Sequence, residues 1–282
     1  MIKRRPTILL VVLALALLVA GWLYWNRPVR VDMAAYVPAD SLAFVEANDL
    51  TGIGGGLERT DAWKALATPM GVKPTLLPNQ WLIRLARWTG FGSAEATLIS
   101  RSQIAVAFMG GRASEANTTL TIKPLAALII ETHTTQRRMR PVLEKLFEEF
   151  AQRAYGQASL VRKQVDGVDL AVWSSPDGAR TIVTAFVDTV AIAGNDESTV
   201  LRCVDVRRGK VPSLSDGKQL AEMRRQVSTT DSSLFGFVAK AGVKPLLQAW
   251  ALNRAGSVPE AAAASKIFAD TFGNLIEGLA WS

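Results

Sequence analysis

The sequence contains one histidine, His133, and Glu131 precedes it by two residues on the same face of a predicted strand. An imidazole beside a carboxylate can transfer a proton or bind a metal ion. The common zinc sites need several histidine or cysteine ligands, however, and the single cysteine, Cys203, is distant in sequence. No HExxH or GxSxG motif occurs, so neither metalloprotease nor serine hydrolase chemistry is supported. We interpret His133 as a surface residue at a strand end and expect no metal site.

A glycine-rich segment follows the first predicted strand and precedes a predicted helix, with glycines at Gly52, Gly54, Gly55 and Gly56. Backbone N–H groups at the start of a helix can bind an anion. A dinucleotide-binding fingerprint would need another glycine where Leu57 stands, and no P-loop Gly-Lys-Ser/Thr occurs. We therefore interpret these glycines as a strand-to-helix loop and expect no cofactor. If a loop of this protein binds a ligand, this segment is the first candidate.

The remaining candidates for catalysis are Cys203 and two sets of carboxylates. Cys203 lies among apolar residues of a predicted helix, which is typical of a buried structural thiol. A glycosidase needs two carboxyl groups that face each other across the substrate. The carboxylates here are predicted to lie on a solvated helix face or beside a turn: Glu144, Glu148 and Glu149, and Asp166 and Asp169. The sequence therefore predicts a protein without catalytic activity.

The segment from Thr7 to Trp25 contains no charged residue and no proline. As a helix it would be about 28 Å long, close to the roughly 30 Å hydrocarbon core of a bilayer. Basic residues precede it and aromatic residues end it: Lys3, Arg4 and Arg5, then Trp22, Tyr24 and Trp25. Basic residues tend to stay cytoplasmic, and aromatic rings favour the headgroup layer. The sequence thus predicts a single-pass signal anchor with a cytoplasmic N-terminus and an exported main domain.

A cleaved signal peptide is the alternative, with its best cleavage site at Val19-Ala20-Gly21. The apolar run exceeds the usual length of about 7 to 15 residues, and aromatic residues follow the site directly, so we favour an uncleaved anchor. The predicted organisation is a cytoplasmic tip and anchor over residues 1–28, an extended linker over 29–37, and an exported domain over 38–282.

The formal charge of +7 belongs mostly to the anchor region. Five basic residues precede the first acidic residue, Asp32, which leaves 27 basic against 25 acidic residues in the remainder. No basic stripe with interleaved aromatic residues follows, so we expect no nucleic-acid partner. The single cysteine excludes an intramolecular disulfide, and about 250 exported residues can bury a core without one.

Hydrophobic patterns beyond Pro38 predict an α+β fold in which a mixed or antiparallel sheet packs against helices. The clearest helix is Arg140 to Ala154, with Pro141 in its first turn. Turn residues at Asp166-Gly167 and at Pro176-Asp177-Gly178 predict an antiparallel meander of four strands between residues 159 and 193. Other predicted strands are 38–50, 103–109, 125–132, 233–243 and 275–282, and other predicted helices are 57–67, 79–88, 195–207, 216–226, 244–253 and 259–272.

Two strands share a pattern and suggest a weak internal repeat of two related halves, starting near residues 38 and 231. Leu234, Phe235, Phe237 and Val238 stand in the second strand where Ser41, Leu42, Phe44 and Val45 stand in the first. Chance similarity between two short apolar strands is the alternative. The chain stops at Ser282 directly after a predicted strand, which is compatible with a truncated C-terminus.

Two segments resemble the bacterial domain-of-unknown-function family numbered 3352, a group of membrane-anchored envelope proteins. One is the opening PADSLAFVEANDL, at 38–50, after the anchor, and the other is the strand and helix block at 186–223. The resemblance covers roughly residues 38–282 and implies an exported α+β domain. It implies no catalytic residues.

These observations predict a non-catalytic envelope protein whose exported domain is an interaction or scaffold module. The expected partners are the lipid bilayer and another envelope protein. The alternative is a periplasmic binding protein for a small molecule or a lipid, held in a cleft between sheet and helices near Gly52 to Gly56. A deep apolar cavity would favour the ligand, whereas a shallow exposed apolar patch would favour a protein partner.

Overall fold

The structure, a computed structural model, describes residues 30–48, 50, 92–116, 119–227, 233–255, 267, 269–271, 273 and 275–282. Apart from Arg30, these residues belong to one compact unit, Val31–Ser282. The predicted anchor, the predicted helices at 57–67 and 79–88, and most of the one at 259–272 lie outside the described residues. Within the described part of the chain, no helix is both long and apolar enough to cross a bilayer.

The described residues form one nine-stranded sheet in which every pair of neighbouring strands is antiparallel. In chain order the strands are β1 (Ala43–Ala47), β2 (Gln103–Ala116), β3 (Thr119–Glu131), β4 (Ser159–Val165), β5 (Val168–Ser174), β6 (Thr181–Val187), β7 (Val190–Gly194), β8 (Leu234–Ala239) and β9 (Gly278–Trp281). Their order across the sheet is β4-β5-β6-β7-β3-β2-β1-β8-β9. The α+β class is confirmed, and the sheet is antiparallel.

Five α-helices are described: α1 (Ser93–Ser100), α2 (Gln136–Tyr155), α3 (Glu197–Arg207), α4 (Lys218–Val227) and α5 (Lys240–Ala255). Two short 3-10 helices, Met33–Tyr36 and Leu214–Asp216, accompany them. The sequence does not predict α1. Helix α2 begins one turn earlier than predicted, because the Thr135 carbonyl already accepts hydrogen bonds from the N–H groups of Arg138 and Met139. Pro141 therefore lies in its second turn.

Tight turns fix the meander as the sequence predicts. Asp166 and Gly167 have φ angles of 50° and 70°, the pair of positive values that a two-residue type I′ turn requires. They join β4 to β5 in register, with Val165 opposite Val168. Asp188, with φ 53°, makes the corresponding reversal between β6 and β7. Short local turns thus determine the order β4-β5-β6-β7.

The sheet buries a different set of elements on each face. The first face packs against the N-terminal 3-10 helix, α3 and the start of α4, with Ile129 and Ile192 of the sheet fully buried. The second face packs against α2 and the end of α1. From α2 it receives four side chains at helical spacing: Met139, Leu143, Phe147 and Ala151. The two clusters supply the main apolar burial of the described chain.

The residues from Val31 to Val37 pack into the core, which corrects the predicted extended linker over 29–37. Met33, Ala34 and Val37 are fully buried. The backbone of Val31 makes two hydrogen bonds with the side chain of Gln103: its N–H donates to Oε1 at 2.8 Å, and its carbonyl accepts from Nε2 at 3.0 Å. Charged residues and Pro38 suggest an exposed linker, but the apolar side chains between them face the sheet. The compact unit therefore begins at Val31 rather than at Pro38.

The two strands that suggest an internal repeat are direct neighbours in the sheet. β1 lies between β2 and β8, as an interior strand should, and Phe44 is opposite Phe237 in the antiparallel register with β8. Both phenylalanines are buried on the first face. The similar patterns of β1 and β8 thus reflect similar environments, and a duplication of the fold stays a prediction.

Candidate ligand-binding cavity

A cavity of about 410 Å³ lies between the C-terminal half of α2 and the second face of the sheet. Strands β3, β6 and β7 form its floor and α2 forms its roof. Its lining residues are Ala126, Leu128, Leu146, Phe147, Phe150, Tyr155, Thr181, Ile182, Ala193, Gly194 and Asn195. Most of these side chains are hydrocarbon or aromatic, so the cavity offers an apolar environment.

The cavity exists because large side chains on the helix face small ones on the sheet. Phe147 is buried and packs against Trp173 of β5, with their ring centroids 6.2 Å apart, which holds α2 at a distance from the strands. Opposite this part of α2 the sheet presents Ala126 and Ala193, which fill little of the gap. Side chains of ordinary size at these two positions would occupy much of the space.

The polar groups of the lining lie together near the C-terminal end of α2. Thr181 donates a hydrogen bond to the backbone carbonyl of Asn195 at 3.0 Å. The Asn195 side-chain amide binds backbone groups of β3, accepting from the Ala126 N–H at 3.1 Å and donating to the Pro124 carbonyl. These two side chains therefore satisfy the protein's own backbone, and the wall stays apolar towards a ligand.

Arg180 stands beside this polar end. Its guanidinium carbon lies 5.0 Å from the centroid of the Tyr155 ring, and its Nη1 donates to the Ala154 carbonyl at 3.1 Å. Burial raises the pKa of Tyr155, and the neighbouring Arg180 charge opposes that rise. The turn after α2 is held by Gln152, whose side chain makes two hydrogen bonds with the backbone of Ala158. Tyr155 and Arg180 thus form a fixed cationic rim on the cavity.

The predicted pair of Glu131 and His133 does not form an open site. Glu131 is 1% exposed, and its carboxylate accepts hydrogen bonds from the Thr189 hydroxyl at 2.8 Å and the His133 backbone N–H at 2.7 Å. The Tyr36 hydroxyl also donates to it, at 3.3 Å. Burial, and next the Glu131 charge, raise the pKa of Tyr36 to about 12. Glu131 thus ties the N-terminal segment to the sheet, a structural role.

Among the described residues no group of three or more metal-ligating side chains occurs. Glu144 belongs to an ion-pair network, since Arg162 contacts both of its oxygens at 3.0 Å and Arg140 contacts one at 2.8 Å. The hydrogen bonds from Arg162 are the largest cause that lowers the pKa of Glu144. Asp169 accepts a hydrogen bond from Gln164 in the adjacent strand. Asp169 is exposed, whereas the Glu144 side chain is only 19% exposed and is shielded by its two arginine partners, which corrects the predicted solvated position of Glu144.

Cys203 is fully buried in α3, as predicted. Burial raises the pKa of its thiol to about 12, so the nucleophilic thiolate is scarce at neutral pH. The glycine loop, Gly52 and Gly54 to Gly56, lies outside the described residues, as do the anchor residues Thr7, Trp22, Tyr24 and Trp25. Their proposed roles stay predictions.

The sequence predicts the apolar face of α2, including Leu146, Phe147 and Phe150, but carries no signal for the cavity opposite it. Ala126 and Ala193 belong to ordinary apolar strand patterns. Their small size becomes informative only after the pairing of β3 with β7 brings them beneath one helix. Arg180 likewise precedes a strand without any motif around it.

No protein-family model matches this sequence, and no curated protein matches it. The resemblance to the family numbered 3352 therefore stays a prediction. A solved structure that matches is crystal form I of TP0453, with 10% sequence identity and a TM-score of 0.34. The match covers 79% of this chain and 68% of that chain. A likeness at this TM-score carries no argument about function.

Proposed function

We propose that this chain is a non-catalytic binding protein for a small apolar ligand of the acyl-chain type, held between α2 and the sheet. The observation that carries the proposal is the 410 Å³ cavity with its apolar lining. This volume falls in the range of about 300–1,000 Å³ that is usual for ligand sites. The space opens to the surface beside the exposed Phe150, and an apolar ligand would gain burial of its own surface and of the lining there.

An acyl chain suits the shape of the lining better than a polar metabolite does. Thr181 and Asn195 bind the protein's own backbone, so a polar ligand would lose its hydrogen bonds with water and gain few in return. Each methylene group that leaves water for such a site contributes about 0.8 kcal/mol. The interaction or scaffold role that the sequence predicts is the second possibility and stays a prediction.

The test uses the purified full chain in a mild detergent and a neutral photoreactive fatty alcohol whose alkyl chain carries a diazirine. We expect labelling to concentrate on peptides of α2, β3, β6 and β7 that line the cavity. Ala193→Leu fills the cavity from the sheet and should reduce labelling there about tenfold, because it removes space for several methylene groups. Peptide mass spectrometry measures the labelling site and yield.

A matched pair of surface variants separates the cavity from general hydrophobicity. Phe150 lines the cavity and is 47% exposed, whereas Val161 on the edge strand β4 is 56% exposed and lies outside the lining. Phe150→Ser should reduce labelling several-fold, and Val161→Ser should leave it unchanged. Equal effects of the two variants, or labelling spread evenly over the surface, would refute the proposal. Circular dichroism verifies that each variant is folded.

We further propose that the chain is anchored in a bacterial inner membrane by Thr7 to Trp25, with the domain in the periplasm. The uncharged run, its basic N-terminal flank and its aromatic C-terminal flank support this location. We expect the chain to stay in membranes washed with alkaline carbonate, and the domain to be digested by protease added to spheroplasts. Release by carbonate, or protection from protease in spheroplasts that lyse normally in detergent, would count against this topology.

A further inference from the structure

We infer that the cavity selects a single-chain amphiphile with an anionic head group, and that Arg180 contacts this head group. The inference rests on the proposed function, because it assumes that an alkyl chain occupies the cavity. It adds the chemical class of the ligand and the direction in which the ligand lies. The head group would be at the C-terminal end of α2, and the alkyl chain would extend along Phe150 and Leu146.

The position of Arg180 supports this orientation. Arg180 immediately precedes Thr181, which lines the cavity, and its guanidinium lies against the ring of Tyr155, another lining residue. Its Nη1 donates to the Ala154 carbonyl, which fixes the side chain at the cavity rim. Arg180 is itself exposed, so its charge is available at the surface where a head group would remain in water. A guanidinium carries five N–H donors and can bind an anion while it keeps this backbone contact.

Acidic side chains near this rim are already engaged elsewhere. Hydrogen bonds from the Ser175 hydroxyl and then from the Ala179 N–H are the main causes that lower the pKa of Asp177, and the Arg180 charge lowers it further. Asp196 forms an ion pair with Arg112 at 3.1 Å and accepts from the Ser198 N–H at the start of α3. Neither carboxylate therefore neutralises Arg180 by direct pairing.

The C-terminal end of α2 opposes an anion, because a helix carries about half a negative charge there. Arg180 carries a full positive charge and already binds one of the terminal carbonyls, at Ala154. Arg180 therefore places a cation at a helix end that would otherwise disfavour an anion. A neutral head group would gain no charged contact with Arg180, whereas a carboxylate or phosphate would gain a charge-assisted hydrogen bond.

The experiment compares two photoreactive probes that share the same alkyl group, one a fatty acid and the other a fatty alcohol. Both are applied to the purified full-length protein in detergent, at a pH where the fatty acid is ionised. We expect half-maximal labelling of the wild-type cavity at a lower concentration of the fatty acid than of the fatty alcohol. Arg180→Gln should raise that concentration about tenfold for the acid and leave it unchanged for the alcohol, which corresponds to one charge-assisted contact. Arg180→Lys should restore part of the preference for the fatty acid over the fatty alcohol.

Arg208→Gln is the matched control. Arg208 is also exposed, and it likewise donates to backbone carbonyls beside a turn, those of Asp166 and Gly167. It does not line the cavity, so this variant should keep the wild-type preference. A competing alkyl phosphate with the same chain tells whether the rim prefers a carboxylate or a phosphate ester.

The possible outcomes separate the two proposals. If neither probe labels the cavity, the proposed function is wrong. If both label it equally in the wild-type chain, or if Arg180→Gln weakens both probes to the same extent, the cavity binds apolar chains but the inference about the head group is wrong.

Discussion

Replacing Arg224 by methionine is expected to lower the free energy of unfolding by about 2 kcal/mol, because it leaves a buried carboxylate without its partly exposed cation. Arg224 donates to both oxygens of Asp32, at 2.9 and 3.0 Å, and to Glu46 at 2.9 Å. Glu46 is 6% exposed in the interior strand β1, so it cannot exchange this partner for water. Without Arg224 a buried carboxylate would lack its cation. Chemical denaturation of the full chain measures the loss.

The effect of Arg224→Met on the free energy of unfolding should depend on pH. Burial is the largest cause that raises the pKa of Glu46, and Arg224 opposes it. A carboxyl group with a raised folded-state pKa contributes stability at low pH that is lost as the pH rises through that pKa. Arg224→Met removes the opposing charge, so the loss of unfolding free energy that it causes should be small near pH 4 and larger near pH 7.

A double variant provides the control for this prediction. Glu46→Gln removes the buried charge while Asp32 still pairs with Arg224, and we expect a cost of about 1 kcal/mol or less. Combined with Arg224→Met, it should recover most of the lost stability at neutral pH. If Arg224→Met costs the same in both backgrounds, the buried ion pair is not the source of the effect.

Replacing Trp173 by alanine should lower the free energy of unfolding by about 3–5 kcal/mol, the typical cost of deleting a large buried aromatic side chain. Trp173 is 1% exposed on the second face of the sheet and packs against Phe147 of α2. Its indole Nε1 is buried without a hydrogen-bond partner in the described structure. Trp173→Phe keeps most of the apolar contact and loses no hydrogen bond, so it should cost much less. Denaturant titration of both variants measures the difference.

Trp281→Ala is the matched control for this second prediction. Trp281 is 43% exposed on the edge strand β9, and its ring covers Gly236 of β8. Because only part of this side chain leaves water on folding, its removal should cost less than half as much as removal of Trp173. Equal costs at the two positions would show that burial against α2 does not determine the effect.

Local signals in the sequence predict a large part of this fold. The turn residues Asp166 and Gly167 specify a hairpin with little dependence on the rest of the chain, and the four strands of the meander follow as predicted. Helix α2 is also recognised over most of its length, because the amphipathic pattern from Arg140 to Ala154 leaves few alternatives. These elements depend on contacts between residues that are close in sequence.

The features that escape prediction depend on distant partners. The segment from Val31 to Val37 contains the charged Asp32 and is followed by Pro38, and its burial depends on distant partners such as Gln103 and the first face of the sheet. The cavity depends on Ala126 and Ala193, which are small residues on two different strands. Neither residue differs from an ordinary core alanine until the strand order is known. The role that we propose for Arg180 likewise depends on its contacts with the end of α2.

The contact between Asp32 and Arg224 joins residues that are 192 positions apart in sequence. One of the two neighbours of β1 in the sheet is β8, which the ribosome synthesises long after β1. The pairing of β1 with β8 therefore forms only after β8 has been synthesised, and the apolar segment from Met33 to Val37 must wait for α3 and α4 to cover it. The meander of β4 to β7 has no such long-range pairing within it, so it can form before this side of the sheet is complete.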